Sequence, residues 1–302
     1  MKRNRLGKSE IFVSEIGFGC MSLQVDNEQV SERMIHEAID AGINFFDTAD
    51  LYDYGVNEEV VGKALQGRRD KIVLATKVGN RWQEGKEGWE WDPSKQHIFE
   101  AVKQSLRRLK TDYIDLYQLH GGTISDPIDE TIEAFEQLKR EGLIRDYGIS
   151  SIRPNVIKEF VQRSSIVSVM MQYNMLDRRA EELFNFLAKH EVSVIVRGPV
   201  AKGLLTENWQ AKLTEAGYLS YSKQEIIALH EQLEKLKTQE RDKTQIALRY
   251  ALSPEVVATT IPGTSRTEQL QANIRTKDVK LTADERNEIN RLTKVTYYTE
   301  HR

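Results

Sequence analysis

The sequence predicts a (β/α)₈ barrel, an α/β fold known as the TIM barrel. Short apolar segments rich in Val, Ile and aromatic residues alternate with segments of helical periodicity. That alternation is typical of parallel strands buried on both faces. Eight strand-helix units in 302 residues suit a closed barrel better than an open doubly wound sheet. The predicted strands are IGFGC (16–20), NFFDTA (44–49), IVLATK (72–77), YIDLYQLH (113–120), IRDYGIS (144–150), VSVMMQY (167–173), VSVIVRG (192–198) and VATTIPG (257–263).

The segments between the strands carry apolar residues every three or four positions, as helices packed on a sheet do. Gly42 and Gly142 follow two of these segments and are predicted to take the left-handed conformation that ends a helix. The clearest apolar series are Ile98, Val102, Leu106 and Leu109, and then Ile128, Ile132, Phe135 and Leu138.

Three further segments depart from the regular alternation. The opening RLGKSEIFVSEIG (5–17) predicts a short hairpin that plugs the end of the barrel opposite the site. Long loops are expected at 79–95 and 200–241, after the third and seventh strands, on the face where barrel enzymes build their sites. Trp82, Trp89 and Trp91 in the first loop form either an apolar substrate wall or an anchor for the loop.

Composition and charge narrow the class of protein. With 39% hydrophobic and 29% charged residues, we expect residues 1–302 to form one globular domain. A net charge of −3, with no basic run, argues against nucleic acid as a partner. No apolar run approaches the length of a membrane span, and we expect a cytoplasmic protein, either a monomer or a weak oligomer. The single cysteine, Cys20, excludes an intrachain disulfide and is expected to be buried.

Ionisable residues end three consecutive predicted strands: Asp47, Lys77 and His120. Because neighbouring parallel strands lie about 4.8 Å apart, these side chains converge on one patch of the rim. Tyr52 follows Asp47 by five residues, near enough to return over the same patch. Each residue alone has a structural explanation, but their convergence predicts a catalytic group.

This group suits proton transfer to a reacting carbonyl. A buried Asp47–Lys77 pair would leave a fixed positive charge beside the phenol of Tyr52. We expect that charge to lower the pKa of Tyr52 from its usual value of about 10. Tyr52 is then the general acid, and His120 holds and polarises the carbonyl oxygen.

The segments DTADLY, LATK and YQLH resemble the Asp, Tyr, Lys and His tetrad of the aldo-keto reductases. The resemblance covers essentially the whole chain and continues in family order through GISS (148–151), MQYN (171–174), RGPVAKGLL (197–205) and IPGTSRTEQLQAN (261–273). It implies an NADP(H)-dependent oxidoreductase that reduces aldehydes or ketones, with a small-molecule carbonyl as its substrate. Gly263 and Ser151 stand where other branches have lysine and asparagine, which indicates a divergent, bacterial-type subgroup.

The resemblance also implies where the cofactor binds. Ser150 and Gln172 would hold the nicotinamide carboxamide, and Arg197 would pack on the ring, where many members have an aromatic residue. Arg266, near the 2′-phosphate, favours NADP over NAD. The remaining implied contacts are Cys20, Met21 and Asp47, then Gly198, Pro199, Val200 and Lys202 along the pyrophosphate, and Gly263, Thr264, Ser265, Gln269 and Asn273 at the adenosine end.

Two other functions stay open. A metal-dependent barrel hydrolase would also use Asp and His at strand ends, but none of the six histidines forms an HxH or HExxH pattern. The chain also resembles relatives that serve as potassium-channel beta subunits, which keep the barrel and the cofactor. It could therefore be a cofactor-binding regulatory or channel-associated subunit with little turnover.

Overall fold

The computed structural model describes residues 1–83 and 85–302, so Glu84, in the predicted loop 79–95, lies outside the described residues. Eight parallel strands form the barrel sheet: β3 (Phe18–Gly19), β4 (Phe45–Asp47), β5 (Val73–Val78), β8 (Ile114–Leu119), β9 (Ile144–Ser150), β10 (Ser168–Gln172), β11 (Ser193–Arg197) and β12 (Val257–Ile261). Their spatial order is β12-β11-β10-β9-β8-β5-β4-β3. Every predicted barrel strand is confirmed.

The sheet closes between its first and last strands. Parallel bridges join Ile16 to Thr260 and Gly19 to Gly263, so β3 and β12 meet along a short seam. The closed form confirms the predicted (β/α)₈ barrel over the open alternative.

The helices pack around the barrel and bury one face each. In the helix Lys95–Leu109, residues Ile98, Val102 and Leu109 face the core, and the Ser94 side chain caps the first turn. Gly42 and Gly142 have φ of +92° and +75°, as predicted for residues that end helices. The helices are α1 (Glu28–Asp40), α2 (Val56–Ala64), α3 (Lys95–Leu109), α4 (Ile128–Arg140), α5 (Pro154–Arg163), α6 (Glu181–Lys189), α7 (Lys223–Lys235), α8 (Lys243–Ala251), α9 (Thr267–Arg275) and α10 (Ala283–Leu292).

The opening segment forms the predicted hairpin, with β1 (Arg3–Arg5) antiparallel to β2 (Phe12–Ser14). Its apolar side chains fill the lower end of the barrel interior, where they belong to one buried cluster with residues of the barrel strands. The hairpin members of that cluster are Leu6, Ile11 and Val13. One end of the barrel is thus closed, and the carboxyl ends of the strands form the other.

Both predicted long loops follow their strands, but each contains regular structure. The first includes a small hairpin of β6 (Asn80–Arg81) and β7 (Glu90–Trp91). The second includes α7, which starts at a capping box in which Ser222 and Glu225 satisfy each other's backbone groups. The predicted insertion at 200–241 therefore contains a helix that the sequence analysis did not identify, and the capping signal at Ser222 begins it.

Candidate active site

Lys77 stands at the centre of the predicted catalytic group. Its Nζ lies 2.7 Å from Oδ2 of Asp47, 2.7 Å from the carbonyl oxygen of Thr48 and 3.2 Å from the hydroxyl of Tyr52. Burial alone lowers the pKa of Lys77, but Asp47 and Tyr52 raise it above its ordinary value. The side chain is therefore an ammonium group that touches the phenol, as the sequence predicted.

Asp47 is held from both sides. While Oδ2 accepts from Lys77, Oδ1 accepts a 3.1 Å hydrogen bond from Nε2 of Gln118. Burial raises the pKa of Asp47, and Lys77 and Gln118 offset part of that effect. Sequence reasoning missed Gln118, although it lies two residues before His120 on β8 and therefore faces the same side of the strand.

His120 completes the group at the end of β8. Its ring meets the ring of Tyr52 edge to face, with centroids 6.0 Å apart. Burial, with the positive charges of Lys77 and Arg197, lowers the pKa of His120 to about 3. The ring is thus neutral at ordinary pH and can donate a hydrogen bond to an oxygen without adding charge.

The pKa of Tyr52 differs from the sequence-based expectation. Burial raises it above the ordinary value, and the nearby ammonium of Lys77 offsets only part of that rise. The predicted net lowering was wrong, because the degree of burial outweighs one adjacent charge. In consequence the phenol keeps its proton at neutral pH, which is the form that a general acid needs.

A cavity of about 980 Å³ opens over this group at the carboxyl ends of the strands. Of the predicted site residues it is lined by Met21, Asp47, Tyr52, Lys77, His120, Ser150, Arg197 and Gly263. The predicted catalytic group therefore lies at the base of one cavity that also reaches the seam of the barrel.

Cys20 has a different position. Its side chain is fully buried, and the backbone carbonyl accepts a 3.0 Å hydrogen bond from Nδ2 of Asn57. The thiol packs in the core, and the cavity wall at this point consists of the neighbouring Gly19, Met21 and Ser22.

Gln172 and Arg197 contact each other at the ends of β10 and β11. Nη1 of Arg197 donates to Oε1 of Gln172 at 2.9 Å, and Nε2 of Gln172 donates to the hydroxyl of Tyr218 at 2.9 Å. Gln172 thus fixes the orientation of the Arg197 guanidinium, which faces the cavity.

The loop after β11 turns repeatedly through left-handed backbone. Gly198, Ala201, Lys202 and Gly203 have φ of +63°, +48°, +57° and +95°. Pro199 is buried, Gly198 and Val200 are half-buried, and Lys202 is exposed. The N–H groups of Ala201 and Gly203 donate to the carbonyl oxygens of Gly198 and Val200 at 3.1 and 2.9 Å. The loop is thus a tight turn closed by its own hydrogen bonds, with the side chain of Lys202 exposed.

The predicted adenosine-binding residues form a self-supporting loop before α9. Nδ2 of Asn273 donates to Oγ1 of Thr264 at 3.1 Å, and Oε1 of Gln269 accepts from the backbone N–H of Ser265 at 2.9 Å. Arg266 is exposed immediately before the first turn of the helix. The helix N-terminus and this cation make the loop suitable for a phosphate group.

The three tryptophans of the first long loop separate into two roles. Trp89 and Trp91 line the cavity, and Trp91 is fixed by a 3.0 Å hydrogen bond from Nε1 to Asp126. Trp82 turns away and donates a 3.1 Å hydrogen bond to the backbone carbonyl of Asp50. Trp89 and Trp91 therefore form part of the cavity wall, Trp82 anchors the loop, and a contact of the wall with substrate stays a prediction.

Sequence reasoning missed part of the cavity wall. The segment 298–301 crosses its edge, where the His301 carbonyl accepts a 2.9 Å hydrogen bond from the Asn155 amide. Arg302 forms a 3.0 Å ion pair with Glu182. Asn80 and Arg153 also face the cavity. The distant segment 298–301 has no local motif that would have placed it here.

None of the helices in 1–83 and 85–302 has the length and apolar character needed to cross a membrane. Within the same residues, no three His, Cys, Asp or Glu side chains are grouped as ligands of a metal ion.

A (β/α)₈ barrel with an Asp, Tyr, Lys and His group at the base of its cavity defines a class of oxidoreductases. Residues 15–294 match the aldo/keto reductase family, and the chain belongs to that family. It is 54% identical to the "Uncharacterized oxidoreductase YqkF" of Bacillus subtilis (strain 168), over 100% of both chains.

Solved structures agree with this assignment. The chain is similar to the aldo-keto reductase AKR11C1 from Bacillus halodurans in its holo form, with a TM-score of 0.95 and 58% identity over 100% of this chain and 99% of that one. The apo form of the same protein gives a TM-score of 0.86 and 53% identity, with the same coverage.

Proposed function

We propose that residues 1–302 form a single NADP(H)-dependent reductase domain that converts aldehydes or ketones to alcohols, with Tyr52 as general acid. The observation that carries this proposal is the 3.2 Å contact between the Tyr52 hydroxyl and Nζ of Lys77, at the base of a cavity that also exposes His120. Membership of an oxidoreductase family supports the class of reaction.

The residues around the cavity fit a nicotinamide dinucleotide. The cavity runs from Tyr52 to Gly263, where a Cβ would come within 3.0 Å of the Ser22 hydroxyl oxygen. Exposed Lys202 and Arg266 would meet the phosphates, and Ser150 with Gln172 and Arg197 would hold the nicotinamide end. The greater similarity to the holo form of AKR11C1 supports a conformation ready for the cofactor.

A bound nicotinamide supplies the hydride in the direction of reduction. The chain's own residues bind and protonate the carbonyl oxygen of the substrate. Neutral His120 donates a hydrogen bond to that oxygen, and Tyr52 transfers its phenolic proton to it as the negative charge develops. Lys77 stabilises the phenolate that remains, and Asp47 with Gln118 keeps the ammonium in place.

The test is NADPH oxidation by the purified chain with a panel of aldehydes and ketones, with NADH as the comparison cofactor. Tyr52→Phe should reduce turnover by about 10² to 10⁴-fold, because the proton donor is lost. The NADPH dissociation constant, measured by fluorescence titration, should stay unchanged.

Equal turnover by wild type and Tyr52→Phe would remove Tyr52 from the mechanism. Tight NADPH binding without turnover of any carbonyl would favour the alternative of a cofactor-binding regulatory or channel-associated subunit.

A further inference from the structure

Trp82 supports the segment that carries Tyr52. Its Nε1 donates to the backbone carbonyl of Asp50, two residues before Tyr52, at 3.1 Å. Its ring meets the ring of Tyr54, two residues after Tyr52, edge to face at 5.8 Å between centroids. The indole therefore contacts the chain both before and after Tyr52, at Asp50 and at Tyr54.

That segment has an unfavourable, left-handed backbone conformation that needs support from neighbouring groups. Asp53 and Tyr54 both have φ of +48°, and Gly55 follows with φ of +90°. Residues other than glycine rarely adopt the left-handed backbone conformation, and they keep it only where neighbouring groups hold them. A support is therefore needed directly after Tyr52.

Trp82 and Arg108 together fill the space under this turn. A Cβ at Gly55 would lie 2.9 Å from Cδ of Arg108 and 3.1 Å from Cζ2 of Trp82. The Arg108 guanidinium lies 5.7 Å from the indole centroid. The turn thus fits closely against these two side chains, with glycine at the point of contact.

The support rests on the barrel itself. Arg108 pairs with the fully buried Glu58 at 2.7 Å, and Glu58 accepts a 2.6 Å hydrogen bond from Oγ1 of Thr76. Thr76 precedes Lys77 on β5. A continuous set of contacts therefore joins the strand that positions Lys77 to the turn that positions Tyr52.

We propose that Trp82 is a positioning residue that holds the Tyr52 hydroxyl against Lys77. The first long loop then has two functions: Trp89 and Trp91 shape the cavity, while Trp82 sets the distance between proton donor and ammonium group. This inference rests on the proposed role of Tyr52 as general acid, and its test separates the two.

The variant that tests it is Trp82→Phe, which keeps an aromatic ring and removes the hydrogen bond to Asp50. Loss of one hydrogen bond should lower kcat about tenfold, with unchanged KM for the carbonyl and unchanged Kd for NADPH. A phenol that moves away from Lys77 loses part of its stabilised phenolate, so its pKa rises. The alkaline limb of the kcat profile should move to higher pH, a change that a merely structural role would not produce.

A second measurement does not depend on turnover. Spectroscopic titration of tyrosinate in Trp82→Phe and in Trp82→Phe/Tyr52→Phe isolates the ionisation of Tyr52, which should occur at higher pH than in the matching pair with Trp82 intact. Trp82→Tyr is a second variant that keeps an aromatic ring and lacks the indole N–H, and it should also raise the pH at which Tyr52 ionises. Arg81→Ala is the control, because Arg81 is exposed on the same hairpin, and it should retain the wild-type kcat and pH profile.

The outcomes are distinct. Loss of turnover in Tyr52→Phe, together with a wild-type kcat, pH profile and Tyr52 ionisation in Trp82→Phe, would overturn the positioning role and leave the proposed function intact. Full turnover in Tyr52→Phe would refute the general-acid role, and the titration would still show whether Trp82 controls the contact with Lys77.

Discussion

Nζ of Lys77 and Oδ2 of Asp47 lie 2.7 Å apart, and the two side chains are only 1% and 3% exposed. Such a pair loses the hydration of both charges, and its strongest effect on stability appears when one partner is removed and the other remains buried. The pair therefore links the stability of the barrel to the proposed chemistry at its rim.

Lys77→Met should lower the free energy of unfolding by about 3 kcal/mol, because it leaves the Asp47 carboxylate buried without a counter-ion. The double variant Asp47→Asn/Lys77→Met should lose less, since neither charge remains. Urea unfolding of both proteins measures the difference. A double variant at least as destabilised as Lys77→Met would contradict this account of the pair.

His120 should make stability depend on pH. Its pKa is lowered from 6.5 to about 3 in the folded protein, so below pH 6.5 the unfolded chain binds more protons than the folded one. The contribution of His120 is complete above pH 6.5 and is lost as the pH falls, by about 1.4 kcal/mol per pH unit. Denaturant unfolding over this range should give a smaller slope for His120→Asn, and an unchanged slope would refute the assignment.

Arg266→Ala should weaken NADPH binding by about tenfold or more, because it would remove the proposed charge-assisted contact with the 2′-phosphate. NADH, which lacks this phosphate, should bind with unchanged affinity. Arg275→Ala, an exposed arginine in the last turn of the same helix, is the control. Fluorescence titration with both cofactors is the measurement, and equal losses for NADPH and NADH would show that Arg266 does not contact the 2′-phosphate.

Gly79→Ala should destabilise the protein and displace Trp91. Gly79 has φ of +122°, and a Cβ there would approach Cζ3 of Trp91 to 2.6 Å. Gly88→Ala is the matched control, since its φ is +88° but a Cβ would meet nothing within 4 Å. Thermal unfolding should show a loss of about 1 to 3 kcal/mol at Gly88 from backbone strain, and a larger one at Gly79. Equal losses of stability in the two variants would mean that Trp91 moves aside at little cost in free energy.

Local patterns were sufficient to predict the barrel and the grouping of Asp47, Tyr52, Lys77 and His120. Strands buried on both faces have a recognisable composition, and parallel strands bring their carboxyl ends to one rim. Asp47, Lys77 and His120 could therefore be placed together before any coordinate was known. Tyr52 followed because only five positions separate it from Asp47.

Properties that depend on packing could not be predicted in this way. The net direction of the Tyr52 pKa depends on how far water is excluded, which the sequence does not state. Trp82 lies against Gly55 and Trp91 against Gly79, and these separate positions follow from tertiary contacts that the sequence does not state. The segment 298–301 reaches the cavity through contacts with α5 and α6, far from it in sequence.

The seam between β3 and β12 affects how the chain can fold during its synthesis. Gly19 pairs with Gly263, so a nascent chain that has emerged only through β11 has an open sheet with an unpaired edge at each end. The loop at Gly263 and the segment 298–301 have not yet been made. Contacts between such distant positions slow folding, because the chain must close a long loop before they form. The cavity is thus completed only after Gly263 and residues 298–301 have been synthesised, and until β12 has formed the edges of the sheet are exposed to pairing with other chains.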